Sequence, residues 1–266
     1  SFESGFYRLG GHAMCLGEEI GKGGHGRVTV AFDTHIGRRV AFKRLRKGAD
    51  ASSRDIARFL KEVQITGQLE HPNIVPVHEL GVDDEDQVYF TMKLVEGRTL
   101  EAVLKSLKRG EPDDRRKYTL FRLLRIIQDV CQAIAFAHSR GVIHRDIKPS
   151  NIMLTGVDGR VVFKLIDFSI SAVERESREE VSKTMQTGTT TLRGLAGTPH
   201  FMSPEQIQEG KEITPQTDLW SLGVVVFFAL SGILPFAPEE SDRNKIFYSI
   251  VNEQAMQLSH AIEELG

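Results

Sequence analysis

The sequence has little cysteine, no excess of either charge and no unbroken apolar run. Each lack narrows what the chain can be. Two cysteines, Cys15 and Cys131, among 266 residues are too few for a disulfide framework, and no CxxC pair offers a metal site. Both read as reduced thiols of a cytoplasm-like compartment. A net charge of −2 gives no electrostatic argument for a nucleic-acid or membrane partner. The most apolar stretch, Leu222 to Phe236, is interrupted by Gly223, Ser231, Gly232 and Pro235. It is too short to cross a bilayer and fits a buried helix, so no membrane insertion is expected in this segment. No charged-then-apolar leader opens the chain, and no secretory signal is expected. What is present is ordinary globular composition, 40% hydrophobic and 26% charged, at a length that suits one large domain or two small ones.

Along the chain the hydrophobic period changes. Residues 1–14 show no clear period and are expected to be an extension or linker. "RVTVAF" (27–32) and "RRVAFKRL" (38–45) alternate and are rich in β-branched residues, as strands are. A helix is predicted over 53–69, where Ile56, Phe59, Leu60 and Val63 fall at i, i+3, i+4 and i+7. "NIVPVHEL" and "QVYFTMKLV" read as two further strands around an acidic turn. After Glu96-Gly97 the character becomes helical: a short helix ends at Gly110, and a long one, broadly apolar, stops at Gly141. Two short strands flank "TGVDGR" (155–160), a polar Ser/Thr/Glu-rich stretch covers about 173–193, and helices return at 216–231 and from about 243. A strand-rich first third before a helix-rich remainder argues for an α+β chain in two lobes, joined near 93–98.

Chemistry concentrates at four places. In "KLIDFSIS" the carboxylate of Asp167 sits between Leu165-Ile166 and Phe168, and a charge in such a run is usually paired or metal-bound. "IGKGGHGRV" sets Gly21, Gly23 and Gly26 in GxGxxG spacing, which lets backbone N–H groups approach phosphate oxygens, although plain turns share the pattern. A strand rather than a helix follows it, which excludes a dinucleotide fingerprint, and the GK[ST] of a Walker loop is absent. A glycine-rich hairpin over a nucleotide is left, with Val28 placed to pack on a base. Lys43 ends "VAFK"; it is either an edge-strand lysine reaching solvent or a phosphate ligand held by Glu62 on the next helix. "VIHRDIKPSNIML" (142–154) offers Asp146, Lys148 and Asn151 in one loop: a carboxylate to orient a hydroxyl, an ammonium to neutralise transferred charge, and an amide oxygen for Mg²⁺. Asp167 adds a second hard oxygen ligand.

These motifs, in this order, resemble the eukaryotic-type protein kinase family, over about residues 16–250. Gly21-x-Gly23-x-x-Gly26-x-Val28, Val40-Ala41-Phe42-Lys43, His144-Arg145-Asp146, Asp167-Phe168-Ser169, Ser203-Pro204-Glu205 and Asp218-x-Trp220-Ser221-x-Gly223 carry the likeness. Lys148, together with "GTPHF" (197–201), resembles the serine/threonine class, and Ser150-Asn151 with the 33–45 strand pair looks like its bacterial-type branch. The resemblance implies a bilobal fold, with 15–95 as a β-rich N-lobe and hinge carrying one regulatory helix, and 96–266 as a larger helical C-lobe. It implies transfer of the γ-phosphate of ATP, with Mg²⁺, to serine or threonine hydroxyls of protein substrates in cytoplasmic signalling. Ile20, the three glycines and Val28 would cover ATP. Lys43, held by Glu62, would contact the α/β-phosphates, and Ala41, Val28 and Met153 would sandwich the adenine. Met92 would be the gatekeeper, and Lys93 to Val95 the hinge. Read alone, Met92 and Met153 fit equally well as core fillers. Asp146 would act as base with Lys148 near the γ-phosphate, Thr198 would bridge these two, and Asn151 with Asp167 would hold the metal.

Regulation is implied as well. Arg145 would pair with a phosphate on the long segment from Asp167 to Glu205, where Thr189, Thr190 and Thr191 are the first candidates, with Thr184 and Thr187 behind them. The phosphate would come from an activating kinase or from a second copy acting in trans. Two departures bear on activity. Ser169 replaces the usual glycine, and the two helices expected at the end of the C-lobe are missing, one of which would pair an arginine with Glu205. The C-lobe is therefore expected to be truncated, and a kinase-like nucleotide-binding pseudoenzyme or scaffold is the alternative reading.

Overall fold

Alternation of apolar residues at the start of the chain builds a sheet. In the computed structural model, which describes residues 6–9, 12–23, 26–45, 53–83, 86–157, 160–168, 199–208, 210–237, 239–240 and 242–263, six strands pair antiparallel in the order β1-β2-β3-β4-β6-β5. They are β1 (Phe6–Leu9), β2 (His12–Gly23), β3 (Gly26–Asp33), β4 (Arg38–Leu45), β5 (Val77–Val82) and β6 (Val88–Lys93). The aperiodic opening is thus partly strand: Phe6 opposes Cys15 and Leu9 opposes His12. Four residues are too few to show a period of two. The expected strand 73–80 is displaced to Val77–Val82, because Pro76 has no N–H for a ladder and instead accepts the Lys93 N–H through its carbonyl.

The two faces of this sheet carry separate cores. One face clusters Ala31, Val40, Phe42 and Tyr89, with Phe42 and Tyr89 stacked at 4.8 Å. The other packs Leu45 and Phe90 against Phe59 and Val63 of helix α1 (Ser53–Thr66), with Ile56 and Met92 alongside. The helix stops three residues before the predicted 69, and turn bonds at Gly67 and Gln68 follow.

The predicted helical stretches keep closer to their ranges, as α2 (Leu100–Lys108), α4 (Leu120–Ser139), α6 (Gln216–Ser231) and, from about 243, α7 (Arg243–Asn252) and α8 (Leu258–Glu263); α3 (Pro112–Lys117) and α5 (Pro204–Ile207) are short helices that were not expected. Thr99 caps α2 by accepting the Ala102 N–H at 3.1 Å, and Gly110 and Gly141 adopt φ of +81° and +72° just past α2 and α4. Helix α4 buries Leu123, Ile126, Ile127, Val130, Ala133, Ile134 and Ala137 along one face. Helix α6 is apolar nearly all round, yet it buries Thr217, Asp218 and Ser221. A small sheet joins β7 (Arg98–Thr99), β8 (Ile152–Val157) and β9 (Arg160–Leu165), whose strands run into the predicted turn and leave only 158–159 between them. The chain divides into two compact units: one runs to Gly97 and includes Thr155–Gly159, and the other takes Arg98–Leu154 and Arg160 onward.

Candidate active site

Register alone gathers one set of candidate residues. On β4, Ala41 lies opposite Val30 of β3 and Met92 of β6, and Lys43 lies opposite Val28 and Phe90. Opposed residues point to the same face of a sheet, so Val28, Ala41, Lys43 and Met92 share one face. β4 is an interior strand and Lys43 is 3% exposed, which removes the reading of an edge-strand lysine in solvent. The Lys43 ammonium lies 5.5 Å from the centre of the Phe90 ring. Glu62 belongs to α1, but its side chain lies outside the described residues. Met92 packs on the Phe59–Phe90 cluster, so it serves as a core residue on the same face. Gly23 and Gly26 oppose one another where β2 turns into β3, which makes the glycine motif a hairpin. Ile20 is 52% exposed, Lys93 is exposed and Val95 is half-buried.

In the second unit the candidates meet directly. Lys148 Nζ donates to Asp146 Oδ2 at 2.8 Å. Asn151 Nδ2 donates to the same oxygen at 3.0 Å and to the Asp146 carbonyl at 2.8 Å. Asp167 is tied to this loop through its neighbour: the Ile166 N–H donates to the Asn151 carbonyl at 3.0 Å, and the Ile166 carbonyl accepts from His144 Nε2 at 3.2 Å. The Asp146 N–H in turn donates to His144 Nδ1 at 3.3 Å, so both ring nitrogens are engaged with this loop and its neighbour. The His144 ring is 1% exposed and packs 4.4 Å from the Phe168 ring. Met153 is half-buried on β8, opposite Thr99. Thr198, Ser169 and the five candidate threonines from Thr184 to Thr191 lie outside the described residues.

The loop backbone is strained. Arg145 and Asp167 have φ of +67° and +55°, a region that costs a residue bearing a Cβ about 1–2 kcal/mol. Buried side chains hold it there. Asp218 is fully buried and accepts the His144 and Arg145 N–H groups, each at 2.8 Å, and His138 Nε2 at 2.7 Å. Burial pushes its carboxyl up, but the His138 bond, the nearby His144 and the two backbone donors outweigh this and hold it below the usual carboxylate range. The Arg145 carbonyl accepts from Gln206 Nε2 at 2.7 Å.

Two of these holding residues, His138 and Gln206, were not expected from sequence, and neither was Thr217 on α6. Thr217 donates to Glu205 Oε1 at 2.6 Å, so the half-buried Glu205 has a hydroxyl partner. The one available signal was Ser203-x-x-Gln206, a capping-box spacing, and Gln206 Oε1 does accept the Ser203 N–H at 3.0 Å. Ser221 ties α6 to the preceding segment by donating to the Phe201 carbonyl at 2.7 Å. Burial lowers the pKa of His200, in that segment, against the raising effect of hydrogen bonds to the backbone of Ala237 and Glu240.

Comparison with known proteins places this geometry in context. The protein kinase domain pattern matches residues 15–265. A serine/threonine-protein kinase PknD of Protochlamydia amoebophila is 37% identical over 230 residues, which is 82% of this chain and 23% of that protein. Proteins of the same name from Chlamydia felis and Chlamydia abortus are 36% and 34% identical, over 82% and 88% of this chain and 24% and 26% of theirs. The chain therefore spans about a quarter of the length of the curated relatives it matches.

Proposed function

The chain belongs to the protein kinase domain family, and from that premise we propose that it transfers the γ-phosphate of ATP to serine and threonine hydroxyls of protein substrates. The observation that carries this reading is the double hold on Asp146. Lys148 and Asn151 both donate to Oδ2, which leaves Oδ1 as the oxygen that orients the substrate hydroxyl and takes its proton. Bound Mg-ATP supplies the transferable group and the charge that draws on it. Asn151 commits its amide nitrogen to Asp146, so its Oδ1, with the Asp167 carboxylate, would hold Mg²⁺ as the hard-oxygen pair that cation favours. Lys148 offsets charge on the moving phosphoryl group, and Thr198 bridges it to Asp146. Lys43, steadied by Glu62, contacts the α/β-phosphates. This reading also assigns the hairpin from Ile20 to Val28 to the phosphates, and Ala41, Met92, Lys93, Val95 and Met153 to recognition of adenine.

In this reading residues 15–95 are the N-lobe and hinge and 96–266 the C-lobe, acting in the cytoplasm in signalling. Among the described residues, no helix is long and apolar enough to cross a membrane. Phosphate on Thr189, Thr190 or Thr191, placed there by another kinase or by a second copy, pairs with Arg145 and orders the segment. The decisive experiment is Mg-ATP with a generic protein substrate, read by phosphosite mass spectrometry. Asp146→Asn is expected to lower kcat about 10³-fold, and Asp167→Ala to abolish Mg²⁺-dependent transfer. Transfer that survives both substitutions rejects the mechanism. Activity unchanged by alanine at all five threonines rejects the switch.

A further inference from the structure

Gln206 belongs to none of the kinase motifs and lies 61 residues from the residue it grips. Its two amide atoms do different things. Oε1 accepts the Ser203 N–H at 3.0 Å, which fixes the rotation of the amide, and Nε2 then points at the Arg145 carbonyl at 2.7 Å. That carbonyl belongs to the peptide unit joining Arg145 to Asp146. The other polar group of the same unit, the Asp146 N–H, is held by His144 Nδ1 at 3.3 Å. One rigid plane is therefore clamped at both ends by side chains, and Asp146 hangs from it. The plane needs clamping because Arg145 sits at φ +67°. Asp218 fixes the preceding unit through the Arg145 N–H but does not touch this one.

We infer that Gln206 is a positioning residue: it sets the orientation of Asp146 and couples that orientation to the segment around Ser203 and Glu205. The inference rests on the role proposed for Asp146, and its test has a readout that does not. Gln206→Met keeps the length and loses the donor. It is expected to lower kcat about tenfold and to leave the KM for ATP within twofold of wild type. Hydrogen exchange in the 142–151 peptide, which needs no turnover, should quicken. Gln206→Glu sets a carboxylate against the Arg145 carbonyl. Its kcat relative to wild type should be lowest near pH 8 and climb as the pH falls toward 5.5, because a protonated carboxyl can donate again. A merely structural role would not produce that dependence. Wild-type exchange in the 142–151 peptide of Gln206→Met overturns the inference. So does a Gln206→Glu to wild-type ratio that is flat with pH, and that arm decides if Gln206→Met does not fold. If wild type and Asp146→Asn transfer phosphate equally poorly, the phosphotransfer reading fails, and the exchange result still decides whether Gln206 holds the plane.

Discussion

On β4, Lys43 is placed by a ladder. Its neighbours Val28 and Phe90 are set by strand register, and every second residue reaches the same face. Asp146 has no ladder. It sits in a loop whose backbone passes through a strained left-handed conformation and is held by side chains from α6 and from the segment after Pro199. In the sheet unit, positioning is a by-product of hydrophobic packing, distributed over many weak contacts. In the helical unit it depends on a few buried polar bonds, each expensive to leave unmade. The first arrangement is sensitive to volume, the second to the identity of single atoms.

Substitutions can break this contrast or sharpen it. The largest effect belongs to the sheet unit: Phe59→Ala removes a ring 1% exposed that lies 5.2 Å from Phe90, and should cost about 4 kcal/mol in denaturant unfolding. Next is Asp218→Asn, nearly unchanged in volume, which leaves donors at His138, His144 and Arg145 short of an acceptor and should cost about 3 kcal/mol. Its pH dependence follows from the depressed carboxyl of the folded chain. The stabilisation is fully present above about pH 4 and is lost as the pH falls through the lower folded value, so the variant should show a shallower acid limb than wild type. Equal acid limbs would remove Asp218 from the account. Thr217→Val preserves shape but deprives Glu205 of its donor; a loss of about 1–2 kcal/mol in thermal unfolding is expected. Smallest is Arg39→Ala, which breaks the exposed pair with Glu96 and should move stability by about 0.5 kcal/mol or less. If Arg39→Ala cost more than Thr217→Val, the contrast between buried polar bonds and surface pairs would not hold here.

The same contrast explains what the sequence disclosed. Helix α6 was legible to the residue, because its apolar character ends at a glycine, Gly232, at φ +68°. β4 was legible to its ends from its β-branched, apolar residues, although Val40 to Lys43 are all buried because both faces of the sheet are covered. α3 was missed, since Pro112–Lys117 is six residues long and carries no apolar period. At the site, Asp146, Lys148 and Asn151 were readable because they lie within six residues and meet directly. His138 and Gln206 were not, because their partners are 80 and 61 residues away and nothing in local spacing announces such a bond.

The two left-handed residues have a consequence for anyone who evolves this chain in the laboratory. At Arg145 and Asp167 a glycine would relieve backbone strain at no steric cost. A library screened for melting temperature alone would favour it at both places, and would discard in the same step the proposed phosphate reader and a proposed metal ligand. Any thermostabilisation scheme therefore has to freeze these two positions before the first round.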